Sequence, residues 1–432
     1  MSEQVVQMAD DRTTAKQGGN DGSGGRPVPG VLCVQCAIGA LVGAAVGDAL
    51  GAPFEFLEAG MYSESNPEPR LGGIGEMRGG GTYAWKPGEF TDDTQMALAL
   101  AESLIANRGF DAADLWARWR HWARGARDVG VQTGTVLQAT DHVGAAAALH
   151  EGNGGRTAGN GSVMRNGPVG VWAASRSLED LIELATAQAT LTHHDRHNGY
   201  AASIHGAMVR AGVLGQDVFA AIDEVLDLLP ADARERWAPL LSSTYVAEAD
   251  ASNGDVFTCL AQAVWAVRGA ASFEDAVVRA IELGRDTDTV AAVAGSIAGA
   301  RWGIQAIPSR WTTYLNGRVG RPDGMARATG SVVPTDPQDP EFAGVDVYDY
   351  WSLQTIARAL VGKDPVADQM PDEPGGPTRV HADLPLFAAD LAGARDAGDD
   401  WAVISLCRTP LEFSMRAIRR QVYLVEIGRA HV

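Results

Sequence analysis

The stretch "VLCVQCAIGALVGAAVG", which begins at Val31, is apolar almost throughout and places Gly39, Gly43 and Gly47 four residues apart. On a helix that spacing puts the three glycines on one face, where a second backbone can approach more closely than side chains ordinarily permit. Two kinds of fold accept such a helix: a membrane span and a densely packed helical core. The run is short for a span, contains Gln35 and is stopped by Asp48 rather than by basic flanks, so it is read as a buried core helix.

The chain from there to about residue 320 follows the same logic. "DTQMALALAESLIA", "LEDLIELATAQATL", "GYAASIHGAMVRAGVL" and "VFTCLAQAVWAVRGA" each carry apolar residues at helical spacing, and alternating strand patterns are nearly absent. No repeat of fixed period stands out. With 46% hydrophobic residues the chain can bury a real core. These patterns predict an all-α fold, a compact multi-helix domain spanning 31–325. Residues 1–30 are polar and Gly-rich with no signal-peptide core and are read as a disordered tail. "PTDPQDPEFAG" and "PDEPGGPTR" mark 326–380 as a Pro-rich linker region.

Beyond the linker, "WAVISLCR" and "RQVYLV" read as buried strands, so 381–425 is expected to begin a small α/β segment that is cut short. This segment resembles the first portion of dual-specificity-phosphatase-like domains. Such a domain needs a later Cys-x5-Arg phosphate loop. Cys407 with its neighbour Arg408 lacks that spacing, so no phosphatase activity is expected. The closing "EIGRAHV", 426–432, is what a common sequencing-adapter read translates to, and the natural chain is expected to continue differently.

A net charge of −19 argues against nucleic-acid or anionic-membrane partners, which require Lys and Arg, and suits a protein that gathers divalent cations. The four cysteines, Cys33, Cys36, Cys259 and Cys407, are too few for a disulfide framework. The lone C-x-x-C of Cys33 and Cys36 lacks the second pair a zinc site needs. A cytoplasmic location is expected. With no heptad and no long exposed apolar helix, a monomer is expected as well.

The chemistry gathers in two places. "FTDDTQMALAL" sets Asp92 and Asp93 between Thr91 and Thr94 at the start of a helical pattern, and "GRDTDTVAAVAGSIAGARWG" sets Asp286 and Asp288 beside Thr287 and Thr289 at the start of another. One acid suffices to cap a helix and to meet its dipole. Two helix starts that each carry a doublet therefore need a further explanation. If the clusters meet in space, their carboxylates must either raise one another's pKa or take up cations. Carboxylate and Thr oxygens are hard ligands suited to Mg²⁺ or Mn²⁺, and neither cluster holds the His or Cys that would suggest zinc.

Five motifs, "GALVGAAVGDALGAPFEF", "FTDDTQMALAL", "GNGSVMRNGPVG", "LTHHDRHNGY" and "GRDTDTVAAVAGSIAGARWG", occur in an order that resembles the ADP-ribosylglycohydrolase family. The resemblance covers about 37–320. It implies an all-α domain with two Mg²⁺ or Mn²⁺ ions held by Thr91, Asp92, Asp93, Asp286, Asp288 and Thr289. It also implies cleavage of the bond between the distal ribose of ADP-ribose and a nitrogen or oxygen of a modified protein side chain or related conjugate. Glu55, Asp92 and Asp93 are the catalytic candidates. Glu55, which would otherwise be an exposed acid at a helix end, matches the glutamate the family places beside its metals.

Asp128 matches a position that contacts the substrate ribose in the family, and Gly159, Asn160, Gly161 and Ser162 match the loop that in the family lies against the diphosphate and distal ribose. His193 follows Thr192 as in the family's Thr-His motif, and the resemblance implies that it borders the ligand. Tyr83 and Trp85 can stack on adenine or simply pack in their loop, and packing is favoured. Two other functions fit the same acids: a module that binds ADP-ribose without turnover, and a two-metal nucleotide phosphohydrolase. Glycosidic cleavage itself passes through an oxocarbenium-like transition state. It needs nearby negative charge, a held ribose and a positioned water or acid.

Overall fold

A computed structural model describes residues 31–67, 75–322, 324–325 and 345–363, with two strand fragments at 378–379 and 387–388. Among these residues eleven helices have eight residues or more. In chain order they are α1 (Val34–Gly51), α2 (Asp92–Asn107), α3 (Ala112–Trp122), α4 (Ala145–Gly152), α5 (Leu178–Thr190) and α6 (Arg196–Val213). They continue with α7 (Ala231–Leu241), α8 (Val256–Gly269), α9 (Phe273–Ile281), α10 (Thr287–Trp302) and α11 (Tyr350–Leu360). The described sheets are two antiparallel pairs, β1 (Asn316–Gly320) with β2 (Val345–Asp349), and β3 (Thr378–Arg379) with β4 (Phe387–Ala388). The fold is all-α.

Its axis is the pair α1 and α10. A Cβ built on Gly39 would lie 2.2 Å from the Gly299 carbonyl oxygen, one on Gly43 2.3 Å from that of Gly295, and one on Gly47 2.1 Å from that of Ala291. Partners fall on α10 as they rise on α1, so the helices run antiparallel with their backbones in direct contact. Helix α1 is long and apolar enough to cross a membrane, yet 89% of that window is buried inside the protein. The antiparallel arrangement sets the C-terminal end of α1, with Asp48, beside the N-terminal end of α10, with Asp286 and Asp288. A Cβ on Gly51 would meet the Asp288 backbone at 2.6 Å.

The linker expectation needs correction. Within 326–380 the structure folds 345–363 into the domain. In β2, alternate residues are buried, Asp346 and Tyr348 among them, and Arg318 of β1 pairs with Val347. Asp349 and Ser352 then form a reciprocal capping box that starts α11, whose Leu353, Ile356 and Leu360 join the core against α1 and α2. The alternation in "VDVYD" was a strand signal that the surrounding prolines masked. The strands expected in "WAVISLCR" and "RQVYLV" and the tail at 1–30 lie outside the described residues. Cys33 and Cys36, set aside as too few for a disulfide framework, are joined to each other at the start of α1, with Cα atoms 5.2 Å apart.

Candidate active site

The acid doublet of α2 does not cap its own helix. Thr91 stands at the N-cap position, and its side chain makes no capping bond. The capping acceptor comes from α1 instead. Asp48, fully buried, accepts from the Thr91 amide at 2.9 and 3.0 Å, from the Thr94 amide at 3.1 Å and from the Thr94 hydroxyl at 2.6 Å. Burial pushes its carboxyl up to about 6 against the downward pull of those donors. At α10 Asp286 occupies the N-cap position, and its side chain makes no capping bond either. Its carboxylate accepts from the Asn160 amide nitrogen at 2.7 Å, and its backbone N–H donates to Asn253 Oδ1 at 2.9 Å. The α2 doublet is thus relieved of capping, whereas at α10 Asp288 Oδ1 still accepts from the Thr289 N–H at 2.9 Å.

Asp92, Asp286 and Asp288 of the two doublets line one cavity of about 210 Å³. Its walls include Glu55, Asp92, Asp128, Asp286, Asp288 and Thr289, with Gly159, Asn160, Gly161 and His193 opposite in the chain. Burial, then the charges of Asp128, Asp48, Glu55 and Asp286, holds Asp92 well above the ordinary carboxyl range. Asp288 is raised by burial and by Glu55, Asp286, Asp93 and Asp48. Glu55 is pushed up to about 8 by burial and the Asp128 charge. Asp128 is raised by burial, although a hydrogen bond from Tyr83 opposes the rise.

Two non-glycine residues in left-handed backbone conformation flank these acids: Phe56 (φ 68°) follows Glu55 and Arg285 (φ 66°) precedes Asp286. They lock each other in place. Phe56 N–H donates to the Arg285 carbonyl at 2.6 Å, and Arg285 N–H donates to the Leu57 carbonyl at 2.9 Å.

Not every expected residue reaches the cavity. Ser162 is fully buried beside it, its hydroxyl accepting from Asn198 Nδ2 at 2.8 Å, so that side chain is structural rather than a ligand contact. Thr91 and Asp93 are likewise buried away from the cavity lining. Asn160 lines it, but its amide is spent on holding Asp286 and the Asn253 carbonyl. Trp85 is buried, with the Arg127 guanidinium 4.5 Å from its ring centre, and packs as expected.

Asp48 and Asn253 escaped the sequence reading. Asp48 ends the apolar run of α1 and could have been noticed there; Asn253 sits in a polar loop with no local signal.

The donor set suits a hard cation. The oxygens are carboxylate and hydroxyl, and both Asp93 Oδ1 and Glu55 Oε2 are buried without a hydrogen-bond partner. Among the described residues, however, no three Asp, Glu, His or Cys side chains already stand close enough to enclose an ion.

Helical fold and acid-lined cavity define an all-α protein with a buried anionic site at the meeting ends of two helices. The chain belongs to the ADP-ribosylglycohydrolase family, whose model matches residues 35–336. It is 32% identical over 287 residues to the ADP-ribosyl-[dinitrogen reductase] glycohydrolase of Rhodospirillum rubrum, covering 66% of this chain and 92% of that protein. It is also 32% identical to the ADP-ribosylarginine hydrolase Tri1 of Serratia proteamaculans, over 65% of this chain and 75% of the relative. Identity to human ADP-ribosylhydrolase ARH3 is 27%, over 65% of this chain and 88% of that protein. A solved structure described as an ADP-ribosylglycohydrolase-related protein complex superposes with a TM-score of 0.56 at 30% identity, covering 76% of this chain and 98% of that one.

Proposed function

We propose that this protein hydrolyses the glycosidic bond between ADP-ribose and a modified protein side chain or related conjugate, with divalent cations as cofactors. The observation that carries the reading is the convergence of Glu55, Asp92, Asp128, Asp286 and Asp288 on one cavity while Asp48 relieves the α2 doublet of capping. Family membership and relatives named as glycohydrolases support it.

Asp92, Asp286, Asp288 and Thr289 would hold the cations from the cavity side, with Thr91 and Asp93 behind them. Two Mg²⁺ or Mn²⁺ ions would offset the accumulated negative charge, orient ribose hydroxyls and make a water more acidic. Asp128, at the rim beside Tyr83, is placed to accept from a ribose hydroxyl. Burial and the Asp128 charge hold Glu55 above the ordinary carboxyl range; in its protonated form it would give a proton to a departing nitrogen or oxygen. Once ionised, it can take one from water. The remaining carboxylates supply the negative field that an oxocarbenium-like carbon requires.

The test is turnover of Arg- and Ser-linked ADP-ribosyl peptides by the EDTA-treated chain, with Mg²⁺ or Mn²⁺ restored and products identified. Release of free ADP-ribose that depends on metal and is abolished in Asp92→Ala and Asp288→Ala is expected. Undiminished activity in both variants would refute the assignment. Release of AMP would make the protein a phosphohydrolase, and binding without release would make it a reader of ADP-ribose.

A further inference from the structure

Arg165 is fully buried, and no carboxylate stands within ion-pair distance of it among the described residues. Its guanidinium lies over the Trp119 ring at 3.9 Å. Nε donates to Gln188 Oε1 at 3.0 Å, and Nη2 donates to the Gln188 carbonyl at 3.0 Å and to Thr192 Oγ1 at 2.8 Å. Gln188 cannot turn around, because its Nε2 is committed to the Ser162 carbonyl and Asn166 Oδ1, both at 3.0 Å. Thr192 Oγ1 stands 2.8 Å from Nδ1 of His193, whose ring lines the carboxylate cavity.

This chain of bonds has a direction. A guanidinium has donors only, so the Thr192 oxygen must accept from it. The hydroxyl keeps one proton, and among the described residues the other polar atom within reach is His193 Nδ1. If Nδ1 carried a proton, the buried hydroxyl proton of Thr192 would have no acceptor. The satisfied arrangement has Thr192 donating to a bare Nδ1, which leaves the ring proton on Nε2. That nitrogen is next to the Gly-Asn-Gly turn: a Cβ on Gly161 would lie 3.1 Å from it and one on Gly159 3.5 Å. The missing side chains leave the ring's Nε2 edge room beside the cavity. Burial, and the nearby Arg165 charge, holds the imidazole neutral.

We infer that Arg165 and Thr192 are positioning residues that hold His193 as its neutral Nε2–H tautomer, presenting one hydrogen-bond donor to an acceptor oxygen of the bound substrate. In a cavity walled largely by acceptors, such a donor gives a substrate oxygen a defined place. The identity of that substrate rests on the function proposed above; the tautomer does not.

The experiment is a long-range proton–nitrogen spectrum of the full chain labelled with ¹⁵N-histidine. The His193 signals are identified as those lost in His193→Gln, and ADP-ribose affinity is measured with Mg²⁺ present. The wild type should show a bare Nδ1 and a protonated Nε2 across the neutral range. Thr192→Val should mix the tautomers and weaken ADP-ribose binding about tenfold, the loss of one hydrogen bond, while Thr192→Ser should restore both. His193→Gln, which keeps an N–H at the Nε2 position, should bind better than His193→Ala. A wild-type His193 protonated on Nδ1 would overturn the inference, as would Thr192→Val with tautomer and affinity both unchanged. Should Thr192→Val fail to fold, the wild-type spectrum decides alone. A wild type that binds no ADP-ribose would remove the proposed substrate but leave the tautomer to be judged on its spectrum.

Discussion

Replacing Gly299 by Ala tests the axis of the fold, because two effects of opposite sign meet there. Within a helix, Gly→Ala is ordinarily stabilising by about 1 kcal/mol, since Ala loses less backbone freedom on folding. At Gly299, however, the new methyl would lie 1.9 Å from the Gly39 carbonyl oxygen and 2.4 Å from its carbon. Ordinary contact begins at 3.4 Å, so the two helices would have to part by 3.4 − 1.9, about 1.5 Å. The obstacle is backbone, which has no rotamer by which to step aside. Overpacking of this kind costs roughly 1–3 kcal/mol, with the upper end expected against rigid backbone, so after the gain of about 1 kcal/mol a net loss of about 2 kcal/mol is expected.

For a domain of this size that is a fall in Tm of about 4–8 °C. Gly152→Ala is the control. It lies in the last turn of α4 with nothing within 4 Å of its would-be Cβ and should be neutral or slightly stabilising. Gly39→Ala meets the Gly299 carbonyl at 2.2 Å, so the double variant should lose less than the sum of the singles, one separation serving both. A Gly299→Ala protein that melts at or above the wild-type temperature would refute the packing argument.

Three further outcomes are expected. Asp48→Ala leaves two amides and a hydroxyl at the start of α2 without their acceptor and should cost about 2–4 kcal/mol in a denaturant melt; a loss below about 1 kcal/mol would mean that α2 is capped otherwise. The raised carboxyls also make a prediction about pH. A folded-state pKa above the unfolded value favours the folded state at low pH, and that advantage is lost as pH rises from the ordinary carboxyl values of 3.8 and 4.5 through about 6 for Asp48 and about 8 for Glu55. The EDTA-treated protein should therefore melt lower at about pH 8 than at about pH 5, with added Mg²⁺ or Mn²⁺ reducing the difference; a Tm that rises over this range without metal would contradict it. Finally, Glu76→Ala removes one of the two carboxylates on the buried Arg310, Glu274 remaining, together with the acceptor of Trp311 Nε1, and should destabilise by about 1–3 kcal/mol; a thermal melt indistinguishable from wild type would show Glu76 to be dispensable.

Much of the fold was legible because its signals are local. The four-residue glycine spacing of α1 and the apolar periodicity of α2, α5, α6 and α8 are properties of single helices, and each appears where the pattern placed it. The short pair of β1 and β2 was not legible. Its partners are separated by a Pro-rich stretch, and five alternating residues in "VDVYD" are a weak signal without the strand they complete. At the site, paired acids at two helix starts pointed to shared chemistry, and Asp92, Asp286 and Asp288 do meet at one cavity. Ser162 did not follow its motif, because a short polar side chain in a tight turn can face either the ligand or the core. Asn198 draws it inward.

By itself, then, the amino-acid order determined that the chain is helical, that one of its helices carries a glycine face open to close backbone approach, and that acids are concentrated at two helix starts. Periodicity, glycine spacing and charge are written along the chain and need no partner to exist. Only the tertiary structure decided that an acid from α1 caps α2, that Asp92, Asp286 and Asp288 face a common cavity, and that a buried arginine is linked through Thr192 to a histidine 28 residues away in sequence. Those are relations between segments that come together only when α1 and α10 close on each other. The charges they concentrate are tolerable only because the surrounding helices hold them in place.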